Sequence, residues 1–125
     1  MEKNTQSNFS IRARAGSFRF AWEGVLAFFK TQHNAIIHLL MTIIVIALAI
    51  AFNVSNNEAA MLALATGFVW VSEIFNTAIE KMMDHLSPEK QPAVKYIKDV
   101  AAAAVLFSAI TAVAVGLIIF LPKLI

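Results

Sequence analysis

Cysteine is missing from this chain of 125 residues, which excludes disulfides and thiolate metal sites. Any metal must be held by carboxylates, carbonyls, phosphates or the three histidines. Charge is scarce as well: Asp, Glu, Lys and Arg make up 14% of residues, against ~25% in soluble domains. Hydrophobic residues make up 59%, so the solvent that suits the chain is lipid. A net charge of +2 is too small to suggest nucleic acid, and the basic residues sit beside apolar segments without forming a separate patch. The opening MEKNTQSNFS lacks an apolar core followed by small residues, so no cleaved signal peptide is expected. No internal repeat is present, and the length allows one domain across 1–125.

What is present is a succession of apolar runs. Residues 1–8 are polar and expected to fray. From Ile11 to Phe29 the apolar positions Ile11, Ala15, Phe18, Trp22, Val25 and Phe29 recur in steps of four and three. The other face carries Arg12, Arg14, Arg19, Glu23 and Lys30, which predicts an amphipathic surface helix over 10–31 suited to the headgroup layer. Ala35 to Phe52 is interrupted only by His38 and Thr42, and predicts a first span over 34–53. NVSNNE is then a polar turn, and a second helix over 58–86 leaves the apolar run for an acidic one. Pro92 bars a helix from running through it, and a third span over 92–121 closes at Pro122. The fold expected is an all-α membrane protein with three spans and a surface helix.

The acidic segment SEIFNTAIEKMMD, Ser72 to Asp84, carries the chemistry. Glu73, Asn76, Glu80 and Asp84 fall within an arc of roughly 80° on one helical face. A carboxylate in or beside a bilayer costs a few kcal/mol or more, roughly, unless paired, hydrated or metal-bound. Three acids and an amide on one stripe suit a hard cation or a phosphate-bound metal. For Asp84 alone, solvation at the helix exit suffices. Lys81 and Lys95 read first as topology signals. His38 reads as an interhelical hydrogen bonder, and His33 and His85 as interfacial. Thr66 shares the face of Glu73, two turns deeper, where it could line a path for a lipid hydroxyl; Trp70 lies near Glu73.

EIFNTAIE at Glu73–Glu80, then Asp84 and KDVAAAAVL at Lys98–Leu106, together resemble the small prokaryotic diacylglycerol kinase and undecaprenol kinase family. Ala21, Trp22, Gly24 and the stretch Lys30 to Leu40 look like the same family's first half. The resemblance implies a homotrimeric membrane lipid kinase that moves the γ-phosphoryl of ATP, with Mg²⁺, onto a lipid alcohol. It implies Glu73 as general base, Glu80 as metal ligand, and Asn76, Lys98 and Asp99 as nucleotide and phosphate contacts. Asp84, Arg12 and Arg14 are added as phosphate candidates, and Trp22, Thr66 and Trp70 as lipid-substrate candidates. The family's other metal-binding glutamate falls at Gln32, a departure that weakens the expected metal site. The AIEK, SPE and KD-AA-AVL wording is nearer the undecaprenol-type branch than the diacylglycerol-type one. There is no G-x-x-x-x-G-K-[ST] loop and no protein-kinase motif set, so an ATP site must be of another kind. Rival readings are a small transporter or channel subunit with Glu73 as its ion site, and an impaired homologue serving as a scaffold.

Lysine and arginine set the expected orientation. Lys3, Arg12, Arg14, Arg19 and Lys30 precede the first span, and Lys81, Lys90, Lys95 and Lys98 lie between the second and third. The turn after the first span has no basic residue. Both basic segments are therefore expected in the cytoplasm of a bacterium, at its inner membrane, with the C-terminus outside. Single cysteines at Asn56 and Lys90, in a chain with no background thiol, should label from opposite sides of intact vesicles. Labelling from the same side would contradict three spans.

Overall fold

The structure, a computed structural model, describes residues 8–125. The regular structure among them is four helices: α1 (Ile11–Thr31), α2 (His33–Ala51), α3 (Asn56–Leu86) and α4 (Pro92–Leu124). Of the segment expected to fray, residues 1–7 lie outside the described residues.

Each helix boundary has a local cause. Ser10 is extended, and its hydroxyl accepts the Ala13 N–H at 3.3 Å to start α1. A single extended residue, Gln32, divides α1 from α2. Its N–H closes α1 on the Phe28 carbonyl, and its carbonyl accepts from Ala35 in the first turn of α2. Between α2 and α3, Asn53 takes a φ of 48°, a left-handed conformation that asparagine tolerates better than most residues. Ser55 and Glu58 then form a reciprocal capping box at the start of α3. Pro92 opens α4, where its missing N–H would have had no helical partner anyway.

The principal packing is α3 against α4. Burial along α3 repeats at Leu62, Ala65, Val69, Ser72 and Asn76, in steps of three and four. Along α4 it repeats at Ala101, Val105, Ser108, Ala112 and Val115 in the same rhythm. A 3.5-residue period keeps one seam facing a neighbouring helix over many turns. Small side chains at Ala65, Ser72, Ala101 and Ser108 allow close approach, which matters where lipid provides no hydrophobic drive between helices. A second, adjacent stripe of α3, with Thr66, Trp70, Glu73, Thr77 and Glu80, is also withdrawn from solvent. Glu73 and Trp70 of this stripe meet α2, which touches α3 more sparingly.

Most large apolar side chains point outward, among them Ile36, Leu40 and Ile43 on α2, Leu64 on α3, and Phe107 and Ile118 on α4. Apolar surface on that scale suits lipid and not water. α2, α3 and α4 are each long and apolar enough to cross a membrane. The molecule is a multi-pass membrane protein.

Two local features depart from the sequence reading. α4 does not close before Pro122; it runs on to Leu124 with that proline inside its last turn. There the missing N–H forfeits a single terminal bond, and Lys123 ties the end to Glu58 of α3 at 3.2 Å. In α1 the buried residue is Phe28, off the expected apolar stripe, with 5% exposure. Trp70 captures it, at 6.3 Å between ring centroids.

Ser108 is fully buried, and its hydroxyl bonds only the Val105 carbonyl of its own helix, at 2.7 Å. Ser108→Leu should therefore overpack the seam and cost about 1–3 kcal/mol, read from SDS-titrated unfolding in micelles. Ser108→Ala should shift the midpoint little. A Leu variant that unfolds like wild type would mean that the two backbones are not close there.

Candidate active site

Glu73 sits on the second stripe of α3 with 4% of its surface exposed. An isolated buried carboxylate is strongly disfavoured, so its partners define the site. Asn34 of α2 donates from Nδ2 to Oε1 at 3.3 Å. His38 Nε2 lies 3.7 Å from Oε2, beyond a hydrogen bond but within ion-pair range when the imidazole is protonated. Asn34 and His38 are four residues apart, which places both on one face of α2.

One turn from Glu73, the Trp70 indole N–H donates to Thr42 Oγ1 at 2.9 Å. The Thr42 hydroxyl donates in turn to the His38 carbonyl at 2.7 Å. Trp70 is flanked by Phe29 at 5.5 Å, Phe28 at 6.3 Å and His38 at 6.0 Å between ring centroids. The end of α1, the first half of α2 and the middle of α3 thus converge on one aromatic and polar cluster. Its apolar body and polar edge suit the boundary between lipid and headgroups.

Further along α3 the side chains turn polar. Asn76 Nδ2 donates to Glu80 Oε1 at 3.3 Å, while Asn76 Oδ1 is buried with no hydrogen-bond partner among the described residues. At the helix end Lys98 of α4 pairs with Asp84 at 2.5 Å, and Lys95 pairs with Asp99 within α4. A groove of about 600 Å³ lies here, lined by Asp84, Lys95, Lys98, Asp99 and the Ser87–Pro92 connection.

The residues singled out in the sequence separate into groups. Glu73, Asn76, Glu80 and Asp84 follow one line along α3, and Lys98 joins that line through Asp84. Asp99 turns away to Lys95. Gln32 sits at the break between α1 and α2, half-buried, and no side-chain hydrogen bond ties it to Glu73 or Glu80. Thr66 is half-buried two turns from Glu73. Trp22, with 62% exposure, forms no ring pair with the Trp70 cluster. Arg14 lies over the Phe9 ring, and among the described residues no ion pair brings Arg12 or Arg14 to the acids. Nor do three or more His, Asp or Glu side chains of those residues converge into a metal cage.

Asn34 and Thr42 and the Ser87–Pro92 lining were not singled out from the sequence as site residues. The signal for the first was available: Asn34, His38 and Thr42 recur every fourth residue in an otherwise apolar run, marking one polar edge.

Residues 19–120 match the prokaryotic diacylglycerol kinase family. A diacylglycerol kinase of Synechocystis sp. is 40% identical over 109 residues, covering 86% of this chain and 62% of that protein. The chain therefore spans somewhat less than two thirds of that relative's length. The undecaprenol kinase of Bacillus subtilis is 33% identical over 108 residues, 86% of this chain and 88% of its own. A diacylglycerol kinase of Pseudomonas aeruginosa is 30% identical over 96 residues, 77% of each chain. The chain belongs to the prokaryotic diacylglycerol kinase family.

Proposed function

We propose that the chain is a lipid kinase, transferring the γ-phosphoryl group of ATP to a membrane lipid alcohol, undecaprenol or diacylglycerol. The observation that carries this reading is the buried Glu73 carboxylate, set at the membrane end of a polar line that leads to lysines. The relatives' names supply the reaction class, and both kinds of acceptor occur among them. On this reading Glu73 takes the proton of the lipid hydroxyl as that oxygen bonds to the γ-phosphorus. The bond from phosphorus to the bridging oxygen breaks, and its electrons stay with ADP. Glu80 stands about 10 Å further along the helix, on the aqueous side. Lys98 and the groove beside it hold phosphate and nucleotide.

Magnesium fits the residues present. Asn76 Oδ1 is a buried oxygen without a partner, beside the Glu80 carboxylate. Mg²⁺ is commonly held by one or two carboxylates together with substrate phosphates and water, so no all-protein cage is needed. Bound there, it would supply charge neutralisation for the phosphates. Gln32 offers a neutral oxygen where the family pattern has a carboxylate.

A homotrimer is part of what the family resemblance implies, and the apolar faces of α2, α3 and α4 left unburied within one chain are open to lipid or to a second copy. The distribution of Lys and Arg supports placing α1 and the α3–α4 connection on the cytoplasmic side of the bacterial inner membrane, where ATP is available. α1 is read as the surface helix.

Labelled ATP, the purified protein in micelles and a panel of lipid alcohols test the reading by chromatography of the lipid phase. Label should enter a lipid alcohol. Glu73→Gln should cut turnover at least ~10²-fold with ATP binding retained. Glu80→Ala should raise the magnesium needed for activity, and Gln32→Glu should lower it and raise turnover. Unlabelled lipid with the wild-type protein, or a Glu73→Gln variant at wild-type rate, would reject the kinase mechanism.

A further inference from the structure

Three lysines of α4 pair with acids other than Glu73: Lys98 with Asp84, Lys95 with Asp99 and Lys123 with Glu58. Among the described residues no lysine or arginine pairs with Glu73. Among the described residues, the group paired with its carboxylate that can gain or lose a proton is the His38 imidazole. Asn34 on the other oxygen can donate a hydrogen bond but cannot change charge.

The surroundings of His38 are specified on every side that packs. α3 faces it with Glu73 and the Trp70 ring, the latter edge-on at 61° between planes. Near it α1 contributes the apolar rings of Phe28 and Phe29 behind Trp70. No ionisable side chain of α4 is paired with it. Its own helix fixes its backbone carbonyl through Thr42, whose hydroxyl oxygen is in turn held by Trp70. The imidazole itself rests against the Trp70 ring and 3.7 Å from Glu73 Oε2, and its side chain keeps 21% of its surface exposed, against 5% for that of Glu73.

A buried base that takes a proton in every turnover must also lose it in every turnover. We infer that His38 is a positioning residue for the phosphoryl transfer proposed above: it aims the Glu73 carboxylate together with Asn34, and it relays the proton away. This rests on Glu73 being the base. The lipid O–H bond breaks and its proton moves to Glu73 while the new O–P bond forms and ADP departs. The proton then passes from Glu73 Oε2 to His38 Nε2 and on to water at the headgroup layer, restoring both side chains. The distance of 3.7 Å must shorten by roughly 0.5–1 Å for that transfer, a tightening usual when a substrate closes a site.

The test separates proton relay from mere shape. In the labelled-lipid assay, His38→Ala should lower kcat at least ~10-fold with the KM for ATP little changed. Added imidazole should restore part of that loss. Pyrazole, of the same size and far less basic, should not. His38→Gln keeps the side chain's reach and a hydrogen-bond donor, guarding against a folding defect, and should also lose kcat. A Gln variant at wild-type kcat, no restoration by imidazole, or equal restoration by pyrazole would each overturn the relay. Glu73→Gln, run alongside, shows which idea has failed. If it is inactive while the His38 variants are unimpaired, only the relay falls; if it is active, the base falls and the relay with it.

Discussion

A carboxylate placed in the apolar middle of a helix must be given partners, and in this protein that requirement joins α2 to α3. Lipid offers no hydrophobic reward for pressing two apolar helices together, so association rests on close packing and interhelical hydrogen bonds. α2 has little close packing to offer, since its large side chains, such as Ile36, Leu40 and Ile43, point outward. What it does offer is Asn34 and His38 to Glu73, and Thr42 to Trp70. The bonds that hold α2 in place are therefore the bonds that hold the site's central acid. A change to this polar edge cannot be purely structural or purely functional.

The α3–α4 pair meets the opposite problem with the opposite means. Its seam uses small residues, which let two backbones approach and gain dispersion without bulky side chains. The consequence is rigidity along the line from Glu73 to Asp84, because one face of α3 is committed to α4 for most of its length. Asn76 shows the junction of the two roles. Its position belongs to the α4 seam, but its amide reaches Glu80 on the neighbouring stripe and leaves Oδ1 buried and unpaired. Buried polar atoms without partners are rare, and a water or an ion is one of the partners that such an atom can take.

The parts legible in the sequence were those set by one helix alone. Period and length mark the three apolar runs, and the polar NVSNNE segment and Pro92 announce the turns between them. The common face of Glu73, Asn76, Glu80 and Asp84 follows from helical geometry. Parts set by two helices were not legible. Which face of α2 meets α3 depends on its rotation, so the sequence does not show that the His38 imidazole comes to 3.7 Å from Glu73, ion-pair range and not a hydrogen bond. Phe28 was missed because its burial comes from Trp70, forty-two residues away, and not from the stripe of its own helix. Pro122 does not end α4 because it stands in the final turn, where its missing N–H forfeits one bond. Gln32 sits at the break between α1 and α2, and its neighbours across the fold cannot be read from its own chain segment.

The same limit bears on the lysines. In the sequence Lys95 and Lys98 are near equals, three residues apart on a helix that leaves the membrane. In the fold they differ, because Lys98 lies on the buried seam of α4 and reaches across to Asp84, while Lys95 pairs along its own exposed face. An i,i+4 pair on an exposed helical surface adds little and is readily screened. A lysine that bridges two helices at the rim of a groove is held nearer one position, with its charge fixed relative to the acidic line. On the kinase reading, a phosphate entering the groove would take the place of Asp84 as its partner, one anion for another, with no new cation to desolvate. On that same reading the phosphate-binding charge stands on α4 and the acids on α3, and the close-packed seam between them would set the distance from nucleotide to lipid hydroxyl. The small residues of the seam are then as much a part of the chemistry as the carboxylates, since thickening the seam would move Lys98 away from the line that starts at Glu73.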